Sequence, residues 1–248
     1  MPLLRCGRKG FQGGHLAIDR LQNREIWIIG LGRFGLHAAQ YLSKKNREAR
    51  FVLVDEDGAN LAQAQGPNRV LEQSDGVSYL ERHLKTDQRP DWIIPALPIH
   101  LAAEWCLVRH SPKRFQPAPL PTEIKTVLPN PMEGYSGDIY VSHADFRCPD
   151  DCVEPRHICT ATQKPRKRNM FDLLSGITYP GLQSLVIRTL QLGPGIGGYR
   201  PAMLFELLEQ VEQAENNLLL STACRCHGVV TAWNLRFDRM GKNPPQYH

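Results

Sequence analysis

Glu25-Ile26-Trp27-Ile28-Ile29-Gly30-Leu31-Gly32-Arg33-Phe34-Gly35 decides how this chain folds, read together with Asp55 twenty residues further on. Ile26 to Ile29 form a short apolar run with the character of a strand buried on both faces, and it leads straight into glycines. The order is strand, glycine turn, helix. Gly30 permits the tight turn, Gly32 omits the Cβ that would block an approaching pyrophosphate, and Gly35 lets the next helix pack closely on its strand. That helix, expected from His37 to Lys45, would aim free N–H groups and the positive end of its dipole at phosphates. A second apolar run, Arg50-Phe51-Val52-Leu53-Val54, ends at Asp55, where a carboxylate can accept hydrogen bonds from ribose hydroxyls. A lone G-x-G-x-x-G is a weak signal. Between two buried strands, with an acid at this spacing, it points to a dinucleotide. Asp55 favours NAD over NADP because a carboxylate repels a 2′-phosphate, while Arg33 inside the turn works against that preference.

The elements that follow keep the same alternation. Ala59 to Gln65 reads as a short helix and Arg69-Val70-Leu71 as a third strand; a helix through Tyr79, Leu80, His83 and Leu84 has one apolar face. Asp91-Trp92-Ile93-Ile94 is a fourth strand stopped by Pro95, and Ile99 to Val108 is the next helix. Strands and helices alternating over short loops predict a doubly wound parallel sheet of the Rossmann-like α/β class, with ligands at the carboxyl ends of the strands. Gly30, Asp55 and Pro95 all fall at such ends. Gly30, Gly32, Arg33, Phe34, Gly35, Asp55 and Pro95 are therefore the expected cofactor-binding set, and His100, just beyond, either faces that site or packs in the core.

Residues 111–131 contain six prolines and break the pattern, which predicts an extended linker over 111–137 between a dinucleotide domain at 25–110 and a second α/β half at 138–248. Residues 1–24, polar and glycine-bearing, read as an arm. In the second half, Asp138 to Val141, Ser184 to Leu190, Leu218 to Leu220 and Gly228 to Trp233 read as strands. Phe171 to Leu174 reads as a short helix, and Pro201 opens an amphipathic one through Leu204, Leu207, Leu208 and Val211. Gly193-Pro194-Gly195-Ile196-Gly197-Gly198 is a second glycine turn, either an anion cradle or a tight structural turn.

At 248 residues, 42% hydrophobic and 22% charged, the chain can bury a substantial core. Its net charge of +5 owes much to Lys164-Pro165-Arg166-Lys167-Arg168, so the basic character is local. A nucleic-acid-binding role is disfavoured, since the aromatic interleaving of such sites is missing. The most apolar long window, Trp92 to Val108, contains Pro95, Pro98, His100 and Glu104, so no membrane insertion is expected. With no export signal visible in Met1 to Gly14, a cytoplasmic protein is expected.

Five of the seven cysteines fall into two clusters, Cys148, Cys152 and Cys159 in a polar loop and Cys224 and Cys226, beside His227, at a strand end. Cys6 and Cys106 read as packing thiols. Loops rich in Pro, Asp and Arg have little apolar reason to hold a shape, so a metal is expected on the five clustered thiols, either tetrahedral zinc or an iron–sulfur cluster. His227 and His157 are substitutes, and His143 a weaker one.

With Gly30-Leu31-Gly32-Arg33-Phe34-Gly35 and Val54-Asp55-Glu56-Asp57, residues 25 to about 108 resemble the nucleotide-binding domain of potassium-uptake regulators, the regulator-of-potassium-conductance type. The resemblance implies a Rossmann fold that binds NAD(H) or another adenine nucleotide and responds to it. Gly30, Gly32, Gly35 and Asp55 would then contact the nucleotide, with Arg33 near its phosphates. The remainder, with its cysteine loop and second glycine turn, has no counterpart in that domain. Two functions stay open: a metal-containing, NAD-responsive regulatory module with a protein partner or a second copy of itself, and an NAD(P)-dependent oxidoreductase or electron-transfer protein using an iron–sulfur cluster.

Overall fold

A computed structural model describes residues 24–109 and 114–236. Most of the expected N-terminal arm, with Cys6, lies outside the described residues. The first half runs β1 (Glu25–Ile29), α1 (Arg33–Lys45), β2 (Arg50–Asp55), α2 (Gly58–Gln63), β3 (Arg69–Gln73), α3 (Gly76–His83), β4 (Trp92–Pro95) and α4 (Leu101–Arg109). Its four strands are parallel and ordered β3-β2-β1-β4. Short apolar runs form these strands because both faces are covered. Helix α1 packs with Ile26, Ile28, Phe51 and Leu53 on one face, and α3 and α4 pack with Trp27, Ile29, Val52 and Val54 on the other. Two short helices start at Asp caps: Asp57 accepts from Ala59 N at 2.8 Å, and Asp75 from Ser78 N at 2.7 Å.

The glycines before and inside α1 set how that helix leaves β1. Gly30 has φ +96°, a conformation L side chains avoid. A Cβ on Gly35 would lie 1.9 Å from the Gly30 carbonyl oxygen, so only glycine lets α1 approach the end of β1 this closely.

The second half forms its own sheet. It comprises β5 (Phe115–Ala118), α5 (Thr122–Val127), β6 (Met132–Glu133), β7 (Ile139–Ser142), α6 (Met170–Ser175) and β8 (Leu182–Arg188). These are followed by β9 (Leu190–Gly193), β10 (Ile196–Gly198), α7 (Pro201–Gln213), β11 (Asn217–Ala223) and β12 (His227–Leu235). The six-stranded sheet has the order β6-β7-β12-β11-β8, with β5 also on β12; only β8 and β11 are parallel, joined through α7. The stretch expected to be a linker is thus built into this sheet from Phe115 onward. Pro117 sits opposite Trp233 on a strand that pairs on one side, where a missing N–H costs nothing, and Pro121 precedes α5 at its cap. The second glycine turn is the tip of the β9–β10 hairpin and opens no helix: α7 begins later, at Pro201. That leaves it the structural turn of the two readings.

One core joins the halves. Trp27, Val54, Trp105, Leu204, Leu218 and Trp233 belong to a single buried cluster that runs from the first sheet through α4 and α7 to the second. The β9–β10 hairpin crosses back, placing Leu192 and Ile196 among the residues under α1, and Tyr199 pairs with Ile93 by two backbone hydrogen bonds of 3.0 Å along the edge of β4.

A buried polar pin sits between the halves. His100, 1% exposed, offers Nδ1 at 2.7 Å from Thr231 Oγ1 and Nε2 at 2.8 Å from Thr222 Oγ1. Thr231 donates its hydroxyl to Asp138, so it accepts from His100 Nδ1–H, and Thr222 donates to Nε2. The backbone N–H of His100 and the Ser136 hydroxyl also reach Asp138. The ring is neutral in this arrangement. Burial pushes its pKa down to about 4, against the opposing pull of Asp138.

Two outcomes are expected. Gly35→Ala should destabilise the chain by about 3 kcal/mol in urea unfolding, whereas Gly32→Ala, where a Cβ meets nothing within 4 Å, should cost about 1 kcal/mol or less. The His100 ring titrates near 6.5 when unfolded and about 4 when folded, so the unfolded chain takes up its proton first as pH falls. Its contribution to stability is complete above pH 6.5 and is lost towards pH 4, roughly 3 kcal/mol in all. Unfolding midpoints of the wild type across this window should fall more steeply than those of His100→Asn.

Candidate functional site

The carboxyl edge of the parallel sheet presents the glycine turn. Gly32 stands at the start of α1 with open space where its Cβ would be, and among the described residues no side chain caps the helix there. The first N–H groups of α1 therefore face outward without an internal partner. Asp55, at the end of β2, fastens the turn: Oδ2 accepts from Leu31 N at 2.5 Å, and Oδ1 accepts from Asp57 N at 2.8 Å and Asn60 Nδ2 at 3.3 Å. A carboxylate offers about four lone-pair positions, so its acceptor capacity is largely engaged by the protein. Pro95 pairs with Ile29 at the end of β4, and Ala96, next in sequence, packs behind Gly30. Gly30, Gly32, Gly35, Asp55 and Pro95 thus lie on one sheet edge.

Arg33 and Phe34 turn from that edge toward the second half. The Arg33 guanidinium lies 4.8 Å from the Phe34 ring centroid and pairs with Asp150 at 3.2 Å. Both partners of this ion pair are about half exposed, so it positions the loop more than it stabilises it. Asp150 belongs to the cysteine loop, and backbone geometry holds that loop on the β9–β10 hairpin. Cys152 O accepts from Gly195 N at 2.9 Å and Gln191 Nε2 at 2.6 Å, and a Cβ on Gly195 would fall 1.7 Å from Asp150 O. The hairpin in turn rests on α1, with Gly193 against the Tyr41 ring and His37 Nε2 3.1 Å from Pro194 O.

Between the loop, this hairpin and the β11–β12 turn lies a cavity of about 820 Å³. Phe34, Met132, Phe146 and Ile196 supply apolar wall, while Cys148, Cys152, Cys224, Cys226, Glu154 and His227 supply the chemistry. Four of the five expected thiol ligands therefore meet at one cavity, and Cys159 stands outside its lining. Among the described residues no three His, Cys, Asp or Glu side chains converge tightly enough to share one metal ion.

The thiols differ in environment. Burial raises the Cys148 pKa, and the neighbouring Cys152 and Cys159 add to it. Cys226 is raised by burial against the pull of Arg166, whose Nη2 is 2.9 Å from the sulfur. Cys224 is pushed well up by burial and by Glu154 beside it, and its sulfur lies 3.9 Å from His227 Nδ1. Cys159 is lowered, chiefly because the Thr162 side chain and backbone hydrogen-bond to it. Burial lowers His227 and His143.

Of the remaining candidates, His100 belongs to the polar pin, Cys106 is a fully buried packing thiol, and His157 is exposed. Sequence reasoning missed Arg166, Glu154, Asp150 and Gln191. Arg166 is hidden in a basic run that reads as solvated. Asp150 and Gln191 carry no local signal, because their partners come from distant segments. No described helix is long and apolar enough to cross a membrane.

Comparisons with known proteins bear on both halves. An uncharacterized protein of Archaeoglobus fulgidus is 29% identical over 220 residues, covering 83% of this chain and 97% of the relative, so the similarity in sequence extends over both halves. No solved structure matches the chain. Residues 102–236, more than half of the chain, match the sequence model of the AF_1314_C family, described as an uncharacterized protein C-terminal domain. That segment runs from α4 through the second sheet to the end of β12 and carries the five clustered thiols. The chain belongs to the AF_1314_C family.

Proposed function

We propose that residues 25–109 form a Rossmann-type unit that binds NAD(H), and that the chain is a cytoplasmic, nucleotide-responsive regulatory module akin to the domain of potassium-uptake regulators. The observation that carries this reading is the position of Gly32. It is open and uncapped at the carboxyl edge of a parallel sheet ordered β3-β2-β1-β4, next to the point where the strand order reverses. Asp55 stands on the β2 side of that edge, where an adenosine ribose would lie. The α1 N–H groups and Arg33 would hold the pyrophosphate, and Phe34 would meet the nicotinamide half at the cavity mouth. When bound, the dinucleotide would supply a hydride-accepting ring; the protein supplies its binding and orientation.

The Arg33–Asp150 pair gives this module a means of response. Arg33 can pair with the cysteine loop or with a pyrophosphate, and engaging the second releases Asp150. A ligand shifts a conformational balance only by as much as it prefers one state, and this exchange of partners creates such a preference. The cavity at Phe34 favours a second reading, an oxidoreductase whose substrate occupies the space beside the nicotinamide.

Titration calorimetry with NAD, NADH and NADP tests the proposal. Wild-type protein should bind NAD(H) in preference to NADP, and Gly32→Ala should weaken binding at least about tenfold with the fold retained, since its new Cβ would stand where the pyrophosphate approaches. Asp150→Asn should tighten binding by a few-fold, as expected for freeing one exposed ion-pair partner. A wild type that binds none of these nucleotides, or a Gly32→Ala variant that binds as tightly, would remove the assignment.

A further inference from the structure

The basic run from Lys164 to Arg168 is folded back on the chain that precedes it. Ile158 bridges Pro165, Cys159 N donates to Lys164 O at 2.9 Å, and Arg166 N donates to His157 O at 2.6 Å, so residues 157–166 close a small hairpin. The base of that hairpin brings Arg156 next to Arg166 and Lys167. Arg166 turns inward, to Cys226 Sγ and to the carbonyls of Pro155 and Arg156. Arg156, Lys164, Lys167 and Arg168 are exposed.

Strand β8 and the β11–β12 turn add charge to the same surface. Side chains alternate along β8, so Arg188 emerges on the face that carries Ser184 and Val186. Helix α6 covers that face, with Ser184 Oγ donating to Leu174 O at 2.8 Å. Arg188 therefore reaches α6, and its guanidinium lies over the Phe171 ring, 4.3 Å from the centroid. Met170 N donates to Arg225 O at 2.8 Å and Phe171 N to Cys224 O at 3.3 Å, which seats Arg225 beside them. Arg225 Nη1 in turn lies 3.5 Å from Asn169 Oδ1, the residue that follows the basic run.

Little on this surface neutralises the charge. Residues 154–172, 188 and 224–227 hold seven lysines and arginines and two acids, Glu154 and Asp172, an excess of five that equals the net charge of the whole chain. Among the described residues none of the seven forms an ion pair. Both acids are held by uncharged donors: the Arg225 backbone N–H on Glu154, and Asn169 Nδ2 on Asp172 at 2.7 Å. Unneutralised positive charge gathered on one face attracts a polyanion. The stacked pair says which kind. A guanidinium over an aromatic ring presents a planar cation on which a nucleobase can stack, whereas a phosphate or a carboxylate needs the charge alone. The basic run has no aromatic residue within it, and the fold supplies one from α6.

We propose that this surface binds single-stranded nucleic acid, with Arg156, Lys164, Lys167 and Arg168 on the phosphates and a base stacked on Arg188 over Phe171. None of these residues belongs to the nucleotide edge, so the proposal stands or falls separately from NAD binding.

The test is fluorescence anisotropy of a labelled oligouridylate of about 20 nucleotides, titrated with the full chain in salt from about 50 to about 200 mM. Affinity should fall about fiftyfold across that range, a log–log slope of about −3 for about four phosphates neutralised on a single strand. Lys167→Gln should reduce the slope by about 0.7. Arg188→Lys, which keeps the charge and removes the planar group, should weaken binding about tenfold with the slope unchanged. Both variants alter exposed side chains, and their circular dichroism should match that of the wild type. No binding of the strand at about 50 mM salt, or an Arg188→Lys variant that binds as tightly as wild type, overturns the proposal. Polyglutamate or vesicles of anionic lipid that bind where the strand does not would assign the surface to an acidic protein or a membrane, and overturn it as well.

Discussion

The close approach of Gly35 to the Gly30 carbonyl is the constraint on which the rest depends. It fixes the angle at which α1 leaves the first sheet, and α1 is the surface on which the β9–β10 hairpin rests, through Gly193 on Tyr41 and Pro194 on His37. The hairpin then holds the cysteine loop through Gly195, which has no room for a side chain beside Asp150. A contact made within six residues of sequence is thus carried outward, helix to hairpin to loop, until it sets one wall of a cavity built mostly from the second half. This is why the glycine turn and the thiols, so far apart in sequence, meet at Phe34.

The polar pin and the apolar core divide the work of joining the two sheets. The core cluster that runs from Trp27 to Trp233 supplies non-directional attraction proportional to buried area. His100, Asp138, Thr222 and Thr231 add direction, because each hydrogen bond in the group is satisfied in one relative placement of α4 on the second sheet. A buried polar group of this kind costs free energy wherever a partner is lost, so misplaced packings are penalised more than the native one is rewarded.

Much of the first half was legible in sequence because its signals are local. Apolar runs of three to five residues and glycines between strand and helix give β1 to β4 and the helices between them without reference to distant residues, while the Asp57 and Asp75 caps came only with the structure. The proline-rich stretch was read as a linker because six prolines break the strand–helix alternation and favour extended chain, yet proline permits an edge position such as β5, and edge status is a property of the whole sheet. The second glycine run was legible as a turn, while its being a hairpin tip depends on α1 lying beneath it. Of the basic run from Lys164 to Arg168, one guanidinium turns inward to Cys226, sixty residues away in sequence, and no local pattern marks which one. The thiols were legible as a group, though their division between Arg166 and Glu154 was not.

The pairing of Tyr199 with Ile93 bears on where the chain can be divided. Strand β4 is an edge of the parallel sheet, and its unpaired backbone groups are covered by the segment between the hairpin and α7. Cutting the chain after α4 would bare that edge together with the apolar faces of α4 and β1, an invitation to strand-to-strand association between copies. The two sheets are for this reason built on one shared core, and a substitution at the glycine-turn edge or beside the thiols is made in a structure whose halves cover each other.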